Sequence, residues 1–147
     1  MKPIRILYFD DEKWLSETLQ KNLQETYSQY QINLVSSIKQ FIDELNGSEK
    51  YDLIIMDIMA PMSLVNENEE VKKLFSDSEI KGMSDGSNMG EVLFKKVRTI
   101  KPYSETPILF LSAKRMANIQ DNYTAFLRKP EIVNVINDKI KYLIGDE

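Results

Sequence analysis

Residues 53–57 read Leu-Ile-Ile-Met-Asp, four apolar side chains in unbroken succession that run straight into a carboxylate. A short continuous apolar run is the mark of a strand covered on both faces, because a strand with one wet face alternates apolar and polar residues. A carboxylate at the end of such a strand is costly to bury without a cation or donors around it. The stretch therefore points to a doubly covered sheet and to a polar site at the strand's carboxyl end. The same pattern recurs on either side of it. Ile4 to Phe9 is strand-like and ends at Asp10-Asp11, Ile108-Leu109-Phe110-Leu111 ends at Ser112, and Thr124 to Leu127 leads to Lys129-Pro130. Tyr30 to Val35 reads as a further strand.

Helical spacing fills the intervals. Trp14, Leu15, Thr18, Leu19, Leu23 and Tyr27 recur at the period of one helix face. Ile38, Phe41, Ile42 and Leu45 mark a short helix stopping at Asn46-Gly47, which has the composition of a C-terminal cap. Val92, Leu93, Lys96 and Val97 predict a helix ending before Lys101-Pro102, and Ile132, Val133, Val135, Ile136, Ile140, Leu143 and Ile144 form the stripe of a last one. Strands alternating with helices mean an α/β fold, a parallel sheet with helices on both faces and right-handed crossovers. In such sheets ligands bind beyond the carboxyl ends of the strands. Asp10, Asp11, Asp57, Ser112 and Lys129 all fall there.

Composition narrows the classes of function. The chain has 147 residues, enough for one core and too few for a comfortable second domain. A net charge of −4 disfavours a nucleic-acid-binding face. The absence of cysteine removes disulfides and thiol chemistry and fits a reducing cytoplasm, and the absence of histidine removes the usual general base. No apolar run is long enough for a signal peptide core or a membrane span. The expectation is a cytoplasmic domain without direct contact to membrane or nucleic acid.

Each polar piece has an ordinary explanation when taken alone. Asp10-Asp11-Glu12 suits a helix N-terminus, Ser112 could close a turn, and most lysines are simply solvated. Together they suit aspartyl phosphorylation. A carboxylate acts as nucleophile, and clustered acids repel an incoming phosphate unless a divalent cation intervenes. Mg²⁺, with Mn²⁺ as an acceptable substitute, takes oxygen ligands and bridges carboxylate to phosphoryl oxygen. A hydroxyl from Ser112 and an ammonium from Lys129 then supply donors to the remaining phosphoryl oxygens.

The combination Phe9-Asp10-Asp11-Glu12, Met56-Asp57-Ile58-Met59-Ala60-Pro61-Met62, Leu111-Ser112-Ala113 and Arg128-Lys129-Pro130 resembles the receiver domain of bacterial two-component response regulators over nearly the whole chain. The resemblance implies a flavodoxin-like (CheY-like) three-layer α/β/α fold with five parallel strands in the order 2-1-3-4-5. It implies Asp57 as the phosphoacceptor, supplied by a histidine kinase or phosphotransfer protein. Asp10, Asp11, Asp57 and the backbone carbonyl of Met59 would bind Mg²⁺, with no organic cofactor. Lys129 would contact the phosphate, with a cis Lys129–Pro130 peptide, and Ser112 and Phe126 would form the switch. Met59 and Lys114 would flank the site, and the apolar thioether at Met59 implies a phosphoryl lifetime of minutes or longer. The output would pass to a downstream protein or to an effector domain absent from this chain.

Two departures stand beside the matches, within an expected single receiver domain spanning residues 1–147. The Asp85-Gly86 turn comes far later than the family pattern has it, so residues 63–84 read as an insertion, longer than an ordinary connection. Within it Asn66-Glu67-Asn68-Glu69 resembles an N-cap, followed by Val71, Leu74 and Phe75 at helical spacing. The insertion is expected to be a lid, a partner-selecting surface or a tolerated loop. Second, residues 113–128 must hold a connection, a helix and the last strand, so the fourth helix of the family is shortened to about two turns over 114–120. Two other functions compete. A phosphorylation-independent interaction module would not need the full acid, hydroxyl and lysine set. A haloacid-dehalogenase-like phosphatase would want a second acid where Met59 stands.

Overall fold

All five apolar runs pair. Strands β1 (Ile4–Phe9), β2 (Tyr30–Val35), β3 (Leu53–Met56), β4 (Ile108–Ser112) and β5 (Thr124–Arg128) form one parallel sheet in the order β2-β1-β3-β4-β5. The protein is described by a computed structural model for residues 2–57, 69–82, 89–112, 121–129 and 132–145. Between the strands lie helices α1 (Lys13–Thr26), α2 (Ile38–Leu45), α3 (Glu69–Lys72), α4 (Asp77–Gly82), α5 (Met89–Thr99) and α6 (Val133–Ile144). The expected fourth helix over 114–120, and the Asn66 cap, lie outside the described residues.

Strand alternation sorts the core into two layers. Leu7, Phe9, Ile54, Met56, Ile108 and Phe110 face α2 and α5, where Phe41, Leu93 and Val97 meet them. Ile6, Tyr8, Leu53, Ile55, Leu109 and Leu111 face the other way, toward Leu23 of α1 and Ile136 and Ile140 of α6. All four residues of β3 are buried, as the opening stretch requires. The result is a three-layer α/β/α sandwich with β3 at its centre.

Two local details differ from the sequence expectation. The first turn of α1 does not bury its apolar residues: Trp14 is 76% exposed and Leu15 54%, whereas Ser16 is buried and donates its hydroxyl to the Glu12 carbonyl. This turn is separated from the sheet by an open cleft, so its apolar side chains are not packed into the core. Only from Leu19 onward does the helix lie on the sheet. α2 stops at the expected Asn46-Gly47, with Asn46 capping in right-handed helical geometry, and Gly145 after α6 takes the left-handed conformation with φ of 78°.

The predicted helix across Val71, Leu74 and Phe75 is two short helices instead. Leu74 and Phe75 sit in the turn between α3 and α4. Ser76 restarts the helix as a reciprocal cap: its hydroxyl accepts from the Glu79 N–H at 3.2 Å and its own N–H donates to Glu79 Oε1 at 2.8 Å. Phe75 is thereby aimed into the core layer shared with α5, under the Lys96 ammonium.

Candidate functional site

The sheet ladder continues past the strand ends and places the site residues. The Asp10 N–H donates to the Val35 carbonyl at 3.2 Å, the Asp57 N–H to Phe9 at 3.1 Å, and the Lys129 N–H to Ser112 at 2.8 Å. Because Phe9 pairs with Met56, the following residues, Asp10 and Asp57, fall side by side. Asp10 and Asp57 are buried, Ser112 is fully buried, and Asp11 and Lys129 are half-buried.

Carboxylate oxygens of Asp10, Asp11 and Asp57 all lie within 4.8 Å of one another. The Lys129 ammonium reaches in from the end of β5, 2.5 Å from Asp10 Oδ2 and 3.2 Å from Asp57 Oδ2. For Lys129 burial pulls the pKa down, but the hydrogen bond to Asp10 and the charges of Asp57 and Asp10 outweigh it, so the ammonium is held charged. Burial, then the charges of Asp10 and Asp57, raise the Asp11 carboxyl above its ordinary value. That is the signature of acids crowded together, and a cation relieves it. Three hard oxygen donors at this spacing fit a small divalent ion, which prefers carboxylate and water oxygens in octahedral array.

Sequence reasoning missed Tyr8. Its hydroxyl donates to Asp10 Oδ2 at 3.3 Å, the oxygen that Lys129 also holds, while the Glu12 N–H donates to Asp10 Oδ1 at 2.9 Å. Burial first, then the Asp10 charge and hydrogen bond, push the Tyr8 phenol far above its ordinary range, so it remains a donor. The signal in the sequence is slight: a phenol in the first strand, two residues before an acid and so on the same face.

Beside the acids, a cleft of about 480 Å³ opens between α1 and the sheet, walled by Tyr8, Trp14, Leu15, Leu19, Leu111 and Lys129. On the opposite face Phe126 pairs in register with Phe110, which meets Phe94 edge-on at 5.7 Å, and Phe126 is half-buried against that core layer. Met59, Lys114 and Pro130, the remaining expected site residues, lie outside the described residues. The cis peptide bond seen among the described residues is Lys101–Pro102, after α5.

No family model matches the chain, and no curated protein matches it in sequence. Solved structures do match. Chemotaxis protein CheY4 from Vibrio cholerae is 17% identical with a TM-score of 0.69, over 96% of this chain and 98% of that one. The receiver domain of a sensor histidine kinase from Pseudomonas aeruginosa, which carries a magnesium ion coordinated in its active-site cleft, is 17% identical with a TM-score of 0.65, over 98% and 99%. A response regulator receiver domain protein from Bacillus halodurans is 17% identical with a TM-score of 0.65, over 97% of each chain. The described residues thus have the CheY-like fold. Among the described residues no helix is long and apolar enough to cross a membrane.

Proposed function

We propose that the chain is a response-regulator receiver, one domain over residues 1–147, that accepts a phosphoryl group on Asp57 from a histidine kinase or phosphotransfer protein. It is a cytoplasmic signalling protein and acts on no separate substrate. The observation that carries this reading is the Lys129 ammonium bridging Asp10 and Asp57, with Asp11 beside them, at the carboxyl end of a CheY-like sheet. The likeness to a receiver domain holding magnesium in its cleft supports the same reading.

In this mechanism Asp10, Asp11 and Asp57, together with the Met59 backbone carbonyl, would hold Mg²⁺. Bound there, the ion offsets the charge of the three acids and of the phosphoryl oxygens. Asp57 attacks the phosphorus, the bond from phosphorus to the donor nitrogen breaks, and that nitrogen keeps the electron pair. Lys129 exchanges a carboxylate partner for a phosphoryl oxygen. The Ser112 hydroxyl donates to another, and the space it leaves lets Phe126 turn inward, biasing the surface around β4 and β5. The exposed Trp14 and Leu15, at the mouth of the cleft beside the acids, support a protein donor docking on α1. The output goes to a downstream protein or to an effector domain. We take residues 63–84 as an insertion that selects partners, since its helices α3 and α4 are tied to the domain by the buried Phe75.

The test is incubation with Mg²⁺ and a small acyl phosphate, read by intact mass. The wild type is expected to gain about 80 Da and Asp57→Asn nothing. An adduct on both proteins, or on neither, overturns the assignment.

A further inference from the structure

We infer that Tyr8 is a positioning residue for Asp10: its hydroxyl holds the carboxylate in the orientation that presents it to the metal and to Lys129. The inference rests on the receiver reading and deepens it. Tyr8 is 1% exposed in a strand whose other residues on that face are aliphatic. A phenylalanine or leucine would fill the same volume in that layer. What the tyrosine adds is one donor, and that donor is spent on Asp10 Oδ2.

The geometry gives this donor a role distinct from packing. Asp10 is gripped by three donors from three parts of the chain: the Glu12 N–H ahead of α1, the Lys129 ammonium after β5, and the Tyr8 hydroxyl on its own strand. Lys129 shares itself between Asp10 and Asp57 on a flexible four-carbon stem, and phosphorylation calls it away to the phosphoryl group. Tyr8 is rooted in the middle of the layered core and has no such freedom. When Lys129 leaves, the Tyr8 hydroxyl is what keeps Oδ2 oriented. Donors to a metal-ligating carboxylate tune affinity by fixing the ligand before the metal arrives.

A matched control lies on the same sheet face. Tyr30 is also buried, and its hydroxyl donates to Asn137 of α6, away from the acids. Tyr8→Phe and Tyr30→Phe each delete one buried phenol hydrogen bond and keep the ring. Mg²⁺ is titrated calorimetrically into both, into the wild type and into Asp11→Asn. Tyr8→Phe is expected to weaken Mg²⁺ binding by about 5- to 10-fold, at the low end of the range for groups that orient metal ligands. Tyr30→Phe is expected to keep wild-type affinity, although both variants lower the melting temperature. The rate of Asp57 phosphorylation in Tyr8→Phe should fall at limiting Mg²⁺ and recover at saturation.

A measurement on the wild type needs no substitution. The buried Tyr8 hydroxyl proton should give an NMR resonance that shifts on Mg²⁺ addition while that of Tyr30 does not. Unchanged Mg²⁺ affinity in Tyr8→Phe, or no shift of the Tyr8 proton in a wild type that binds Mg²⁺, overturns the inference and leaves the receiver reading intact. A wild type that takes up no Mg²⁺, or that binds no better than Asp11→Asn, overturns both.

Discussion

Lys129 is the residue on which the acid cluster depends in the absence of metal. It pairs with two buried carboxylates at once, so its loss takes this cation away from both. Removing one partner of a fully buried pair costs about 3–5 kcal/mol. The Lys129 side chain is 22% exposed, so water screens part of this, and Lys129→Ala should lower metal-free stability by about 2 kcal/mol. Adding Asp57→Asn to Lys129→Ala should return roughly half of that loss, because one of the stranded charges is gone. Urea denaturation of the two variants in chelator measures both effects. A double variant less stable than the single one would contradict the electrostatic account. Asp10, Asp11, Asp57, Ser112 and Lys129 could all be picked out from the sequence, because each follows an apolar run. Tyr8 could not be singled out as easily, since its ring is what a core strand would contain anyway and only the hydroxyl at its tip reaches Asp10.

The two short helices after β3 show what helical periodicity leaves out. Val71, Leu74 and Phe75 have the spacing of one helix, yet Ser76 and Glu79 cap a new one and turn Phe75 into the core. Phe75→Ala should cost about 3 kcal/mol and free α3 and α4 from α5, seen as faster amide exchange over 69–82 than in α6. Glu79 adds a pH dependence. The Ser76 N–H, as the largest influence, and the Lys96 charge hold its carboxyl below the ordinary value of 4.5. A lowered folded value means that the stabilisation is complete above about pH 4.5 and is lost as the pH falls through that lowered value. Exchange protection in α4 should therefore weaken on acidification below this point, and Glu79→Gln should remove that component. The first turn of α1 teaches a related lesson. Trp14 and Leu15 obey the helical period, but they line an open cleft rather than the core, and only the fold reveals that they stay exposed.

For the whole molecule, a ligand that binds only the folded state adds stability by mass action. Mg²⁺ at about 100 times its dissociation constant should raise the unfolding free energy by about 2.7 kcal/mol, and Asp10→Asn together with Asp11→Asn should abolish the gain. Thermal melts across a Mg²⁺ series, with the two-acid variant alongside, check this. The sequence by itself determined the class of the fold and the edge of the sheet where the acids, the hydroxyl and the lysine gather. Both follow from local rules: unbroken apolar runs demand two covered faces, and a buried carboxylate demands compensation. Tertiary structure decided everything that depends on which atoms meet. Lys129 finds Asp10 across 119 residues of chain, Tyr8 spends its hydroxyl on the same oxygen, and Phe75 is buried because α5 lies beneath it. Such contacts have no sequence period, since they arise from strands and helices brought together by the sheet order, and only the assembled layers specify them.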